Sequence, residues 1–285
     1  MRGRRYWLLY LLTILTVALE PGAKGTVGRS IAVGFDLYRG YLIVVRGSAG
    51  PRKDLNFLLD TGVSYTVLDR RLARKLRLHE LPGVLAGVNG RVAAGRAIAP
   101  SLQIGPARRE NLSVMIEDLS CFDKALPVRI DAVIGLDVVG QGAFEIDYSS
   151  RRINFGPLPS LKNTLRLRMS GGLPLVDAEL DETPVHLVLD TGASSLILFE
   201  PKTATQAKIS AAEHSAKSMG EFEGKPVWLS SLKLGQAEFQ QEAAFLVPRG
   251  GGIEDRDFDG LVSPALLGIT KVAIDLDQGV VAFSR

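Results

Sequence analysis

Two aspartates set the chemistry that this chain can perform. Asp60 and Asp190 each open an Asp-Thr-Gly tripeptide, Asp60-Thr61-Gly62 and Asp190-Thr191-Gly192, and each follows three apolar residues. A carboxylate at the end of an apolar strand, beside a hydroxyl and a glycine that lets another backbone come close, is half of an acid–base site. One such loop alone is an ordinary turn. Two loops related by a pseudo-twofold axis bring Asp60 and Asp190 within hydrogen-bond reach, where both cannot ionise cheaply. Such a pair holds one proton over a wide pH range. It then offers a general base to a bound water and a general acid to an amide carbonyl, with no metal or covalent intermediate. Thr61 and Thr191 are expected to tie the loops together across the axis.

The elements that must position these aspartates are themselves repeated. Phe57 to Ser64 matches Leu187 to Ser194 in residue type at every position. Further on, the block Asp131-Ala132-Val133-Ile134-Gly135-Leu136-Asp137-Val138-Val139-Gly140 aligns without gaps to Asp259-Gly260-Leu261-Val262-Ser263-Pro264-Ala265-Leu266-Leu267-Gly268. Asp131 follows Asp60 by 71 positions, and Asp259 follows Asp190 by 69. A third landmark pairs Phe144-Glu145-Ile146-Asp147 with Val272-Ala273-Ile274-Asp275. Three landmarks in one order at nearly one spacing mean two copies of a single fold unit. The copies are expected over residues 31–157 and 158–285, joined near Pro157-Leu158-Pro159.

Charge argues against a polyanion partner. The formal net charge is +3, but Arg2, Arg4, Arg5 and Lys24 against Glu20 account for it, leaving 30 basic and 30 acidic side chains in the rest. A neutral body has no electrostatic reason to bind nucleic acid. Residues 1–25 read as a signal peptide or N-terminal anchor: three arginines precede an apolar stretch from Tyr6 to Leu19. Cleavage before Thr26, after Ala23-Lys24-Gly25, is the working expectation, and either outcome exports the globular part, periplasmic or secreted. Membrane contact is expected only through this segment if it stays uncleaved. Cys121, the single cysteine, is expected in a buried apolar position.

Periodicity predicts mostly strand. Short apolar runs bounded by turn residues lie at 40–45, 56–59, 102–105 and 112–116, and again at 173–180, 186–189, 228–234 and 243–247. Asp69 is expected to cap a helix over 69–78, with a counterpart over 201–212. Residues 83–91, with the Asn89-Gly90 turn signal, and the polar stretch 217–225 are candidate flaps. Asp255-x-Asp257-x-Asp259-Gly260 imitates a calcium loop, but Leu266 stands where the bidentate glutamate belongs, so Asp259 is read as structural, like Asp131. No cofactor or metal is called for by His79, His186, His214 or Cys121.

The paired apolar-apolar-Asp-Thr-Gly-x-Ser loops, each supported about 70 residues later by an apolar segment, resemble the aspartic proteases, pepsin-like and retroviral. The Ile134-Gly135-Leu136-Asp137 segment is most similar to the retropepsin-type domains of bacteria, here fused in tandem. The resemblance implies an all-β, bilobal fold of two β-barrel-like lobes with few short helices. It implies an endopeptidase with Asp60 and Asp190 catalytic, Thr61, Gly62, Thr191 and Gly192 supporting them, and a peptide or protein as the substrate of a monomer. An inactive peptide-binding protein on the same fold is the alternative. Three departures bear on these expectations. Val262-Ser263 replaces the apolar-Gly step of the second lobe. Val63 and Ala193 stand where pepsins carry a hydroxyl, which shifts the expected optimum to weakly acidic pH. The short stretch before Asp60 leaves little room for a pepsin-style pro-segment.

Overall fold

The computed structural model describes residues 30–87, 90–200, 210–211, 224–249 and 256–285. Residues 1–25, most of the expected helix over 201–212 and nearly all of 217–225 lie outside them. The described chain is all-β and bilobal, and its helical elements are the short Arg70–Lys75, Leu119–Lys124 and Leu136–Val139.

The apolar triplet before each aspartate explains the local architecture. In strand Arg52–Leu59, Phe57 and Leu59 enter the main core, while Leu58 joins a second cluster with Leu42, Val44, Val67 and Val133. Burial on both faces replaces the alternation of a half-exposed strand by a continuous apolar run. Strand Thr183–Leu189 repeats this: Leu187 and Leu189 face the main core, and Val188 packs with Leu173, Leu175, Ile197 and Leu261. Each of these strands pairs in parallel with the later block of its own copy, Leu59 opposite Ile134 and Leu189 opposite Val262.

Both halves also contribute to one sheet between the lobes. Strands Phe144–Asp147 and Lys271–Asp275 pair antiparallel at its centre, Ile146 opposite Val272. Arg152–Phe155 and Val280–Ser284 flank them, and the first halves of Ile31–Tyr38 and Asn163–Ser170 close the edges. The second halves of these two edge strands leave to pair within their own lobes. The main core is accordingly continuous, with Phe144, Ile146, Val272 and Ile274 among its members. The Asp147 carboxylate meets Lys271 Nζ at 2.9 Å across the central pairing, an ion pair between the copies.

Three expectations are corrected. Asp69 does cap a helix, accepting the Arg71 N–H at 2.9 Å, but the helix is Arg70–Lys75 rather than 69–78. It stops because Arg77 adopts φ +56° and Leu78 N–H turns back to the Ala73 carbonyl. Within the expected helix 201–212, Ser210–Ala211 is strand, paired with Lys225–Leu234. Cys121 is exposed, because the short helix Leu119–Lys124 turns Leu119 inward and Cys121 outward.

Candidate active site

The two parallel pairings end at the same height, and each aspartate is the first residue beyond its strand. Asp60 N–H donates to Ile134 O at 2.9 Å, and Asp190 N–H donates to Val262 O at 2.9 Å. The loops then cross. Thr61 N–H donates to Thr191 Oγ1 at 3.1 Å and Thr191 N–H to Thr61 Oγ1 at 3.1 Å. Each hydroxyl passes its own proton onward, Thr61 Oγ1 to Leu189 O at 2.5 Å and Thr191 Oγ1 to Leu59 O at 3.1 Å. These four bonds are fully buried, satisfy every polar group of both threonine loops that they use, and lock the two motifs in register.

The glycines admit the opposite carboxylate. A Cβ on Gly62 would stand 2.4 Å from Asp190 Cγ, and one on Gly192 would stand 2.5 Å from Asp60 Oδ2. Any side chain at either position would force the opposite carboxylate to move. Gly62 N–H donates to Asp60 Oδ1 at 2.8 Å and Gly192 N–H to Asp190 Oδ1 at 2.7 Å, which fixes both carboxylates. The two side chains hydrogen-bond each other. Thus all six residues expected from the sequence, Asp60, Thr61, Gly62, Asp190, Thr191 and Gly192, come together.

Electrostatics separates the two aspartates. Asp60 is half-buried, while Asp190 is 7% exposed. Burial raises the pKa of Asp60 above the usual carboxylate range, and the bonds from Asp190 and Gly62 restrain the rise. Asp190 is pushed well above that range by burial, then by the negative charge of Asp60 and the bond to it, against the Gly192 and Ala193 N–H groups. Burial and mutual repulsion make loss of the second proton from such a pair costly.

Support from beneath differs between the lobes. Thr66 donates its N–H (2.8 Å) and its Oγ1–H (2.7 Å) to the Asp137 carboxylate, and its Oγ1 accepts Gly135 N–H at 3.2 Å. Burial raises Asp137 more than these bonds and the charge of Arg109 lower it. At the matching positions the second lobe has Leu196 and Ala265, and Ser263 in place of Gly135. Ser263 is 1% exposed and its hydroxyl has no hydrogen-bond partner among the described residues. Even so, Asp190 keeps the register of Asp60, as the two equal bonds to Ile134 and Val262 show. The Thr66–Asp137 clasp was missed from the sequence. Its signal was the joint change of both partners between the aligned copies.

A family model described as aspartyl protease matches the chain twice, over residues 45–138 and 176–270. The chain belongs to the aspartyl protease family. Comparison with curated proteins finds no match. In this aspartyl protease each matched stretch holds one Asp-Thr-Gly loop together with the segment that supports it, Ile134-Gly135 in the first and Val262-Ser263 in the second. Asp259 has the structural place expected of it: its carboxylate accepts His186 N–H at 2.9 Å, as Asp131 accepts Asn56 N–H at 3.0 Å.

Proposed function

We propose that this aspartyl protease is an endopeptidase in which Asp60 and Asp190 activate water at the interface of the lobes. The observation that carries the reading is the crossed threonine pair with both carboxylates hydrogen-bonded and each motif glycine vacating space for the opposite aspartate. The shared proton resides on Asp190, the more deeply buried partner, and Asp60 bears the charge. Asp60 takes a proton from water as that water attacks the scissile carbonyl carbon, while Asp190 donates to the carbonyl oxygen. The resulting gem-diol collapses as a proton passes to the leaving nitrogen. A single chain supplies both half-sites, so the enzyme acts as a monomer.

The hairpin of strands Leu81–Gly87 and Gly90–Ile104 is the flap of the first lobe. Leu85 packs on the cluster that also holds Val63, next to the first motif, while Val84 is exposed. Val88 and Asn89 lie outside the described residues. Residues 1–25 direct export, so the enzyme works outside the cytoplasm, released or held by this segment.

Burial raises both aspartates above their ordinary value, so the singly protonated dyad extends to higher pH than exposed carboxylates would allow. Turnover of a peptide library is expected to peak at weakly acidic pH and to be blocked by a statine-type inhibitor. A peak below about pH 3, near the lower pepsin dyad value, contradicts this. Inhibition by a metal chelator but not by statine would overturn the mechanism.

A further inference from the structure

The two lobes present different chemistry at matching places beside the dyad. Three residues before Asp131 stands Val128, packed against the apolar cluster of the first lobe; three before Asp259 stands Arg256. The turn that follows each edge strand differs in the same sense. In the first lobe it carries Arg39, at φ +52°, whose Nε donates to Ala125 O at 2.9 Å. The second lobe has Gly171 at nearly the same φ, +56°, so the backbone does not require glycine there. What glycine provides is room: a Cβ on Gly171 would stand 2.3 Å from Arg256 Nη1. The next residue, Gly172, lies against the first lobe, where its Cβ would be 3.2 Å from Ser64 O, two residues beyond Gly62. Arg256 therefore sits where the second lobe's turn meets the first lobe's motif loop.

The two acidic neighbours on its C-terminal side, Asp257 and Asp259, face other arginines. Asp257 Oδ2 faces Arg168 Nη1 at 3.4 Å, and Asp259 Oδ1 faces Arg249 Nη2 at 3.5 Å. Among the described residues the Arg256 guanidinium makes no hydrogen bond or ion pair, and its exposure is intermediate. A planar, permanently charged fork with no anion among the described residues matches a carboxylate.

We propose that Arg256 is a specificity-determining residue that binds a carboxylate of the peptide substrate on one side of the scissile bond, while the Val128 side accepts apolar residues. This rests on the peptidase reading above. The test uses the full chain and paired peptides, differing only by Glu or Gln on one side of an otherwise apolar cleavage site, each as free acid and as C-terminal amide. Cleavage is measured with the wild type, and binding of the same peptides with Asp190→Asn. The Glu peptide is expected to be favoured about tenfold in kcat/KM and in binding. Arg256→Gln should abolish that preference, Arg256→Lys should retain part of it, and Gly171→Ala should weaken it by displacing the guanidinium. A preference for free acid over amide, independent of Glu, would assign the same arginine to the C-terminal carboxylate. Cleavage with no preference for either carboxylate, or a preference that survives Arg256→Gln, overturns the subsite and leaves the peptidase reading standing. Binding that depends on Arg256 without any cleavage does the reverse.

Discussion

The two lobes hold their aspartates with the same backbone bonds but support them with different chemistry. Under Asp60, a partly buried polar clasp of Thr66 and Asp137 secures Gly135. Under Asp190, Leu196, Ala265 and an unpartnered Ser263 hydroxyl do the equivalent work by packing. Even the following strands differ, with buried Tyr148 in the first copy where the second has Leu276; burial and then the charge of Asp190 push its hydroxyl up. The register of both aspartates is nonetheless the same. The strand pairing therefore sets the position, and each lobe needs only a filled space beneath it.

Breaking what the lobes share should have the largest effect. Gly62→Ala and Gly192→Ala each force the opposite carboxylate away, and each is expected to lower kcat/KM about a hundredfold, measured on any cleaved peptide. Equal losses would support the symmetry, whereas a tolerated Gly192→Ala would break it.

Next comes the clasp that only the first lobe has. Asp137→Ala strands the buried Thr66 donors and should lower unfolding free energy by about 2–3 kcal/mol in urea titration. The pair Thr66→Leu with Asp137→Ala copies the second lobe and should recover part of that loss. A double variant worse than the sum of its singles would mean that the lobes are not interchangeable.

A smaller effect concerns the contact between the copies. Burial acts to raise Asp147, but the bonds from Ser149, Ser150 and Lys271 outweigh it and hold its carboxyl well below the usual range. Its contribution is present above the unfolded carboxylate pKa and disappears as pH falls through the lowered folded value. Asp147→Asn should cost about 1–2 kcal/mol at pH 7, less than a closed pair because Lys271 is 38% exposed, and almost nothing at pH 1. The dyad has the opposite sign. Asp190 is raised, so its burden on stability grows as pH rises, and Asp190→Asn should raise Tm at neutral pH relative to the wild type. The smallest change is Ser263→Ala, which removes an unsatisfied buried hydroxyl and should stabilise by up to about 1 kcal/mol.

Much of the fold was legible because the duplication is strong around the motifs. Apolar runs such as Phe57-Leu58-Leu59 announced strands, and the aligned blocks 131–140 and 259–268 marked a repeated element; that the two pair in parallel is seen only in the structure. The interlobe sheet was harder to read, since Ile31–Tyr38 changes partners halfway along without any break in its sequence. Cys121 was misplaced because composition says what a cysteine prefers, while the direction of a one-turn helix decides where it points. The clasp and Arg256 escaped notice for a related reason. Each depends on residues far apart in sequence, and only the differences between the copies gave a signal.

The proposed catalysis needs two carboxylates acting as one acid–base unit. Its most direct test is steady-state hydrolysis of a single cleaved peptide by the wild type, Asp60→Asn and Asp190→Asn, each shown to be folded by its circular dichroism. Both variants are predicted to lose at least about a thousandfold in kcat, because neither half works alone. Wild-type turnover in either variant would contradict the shared dyad.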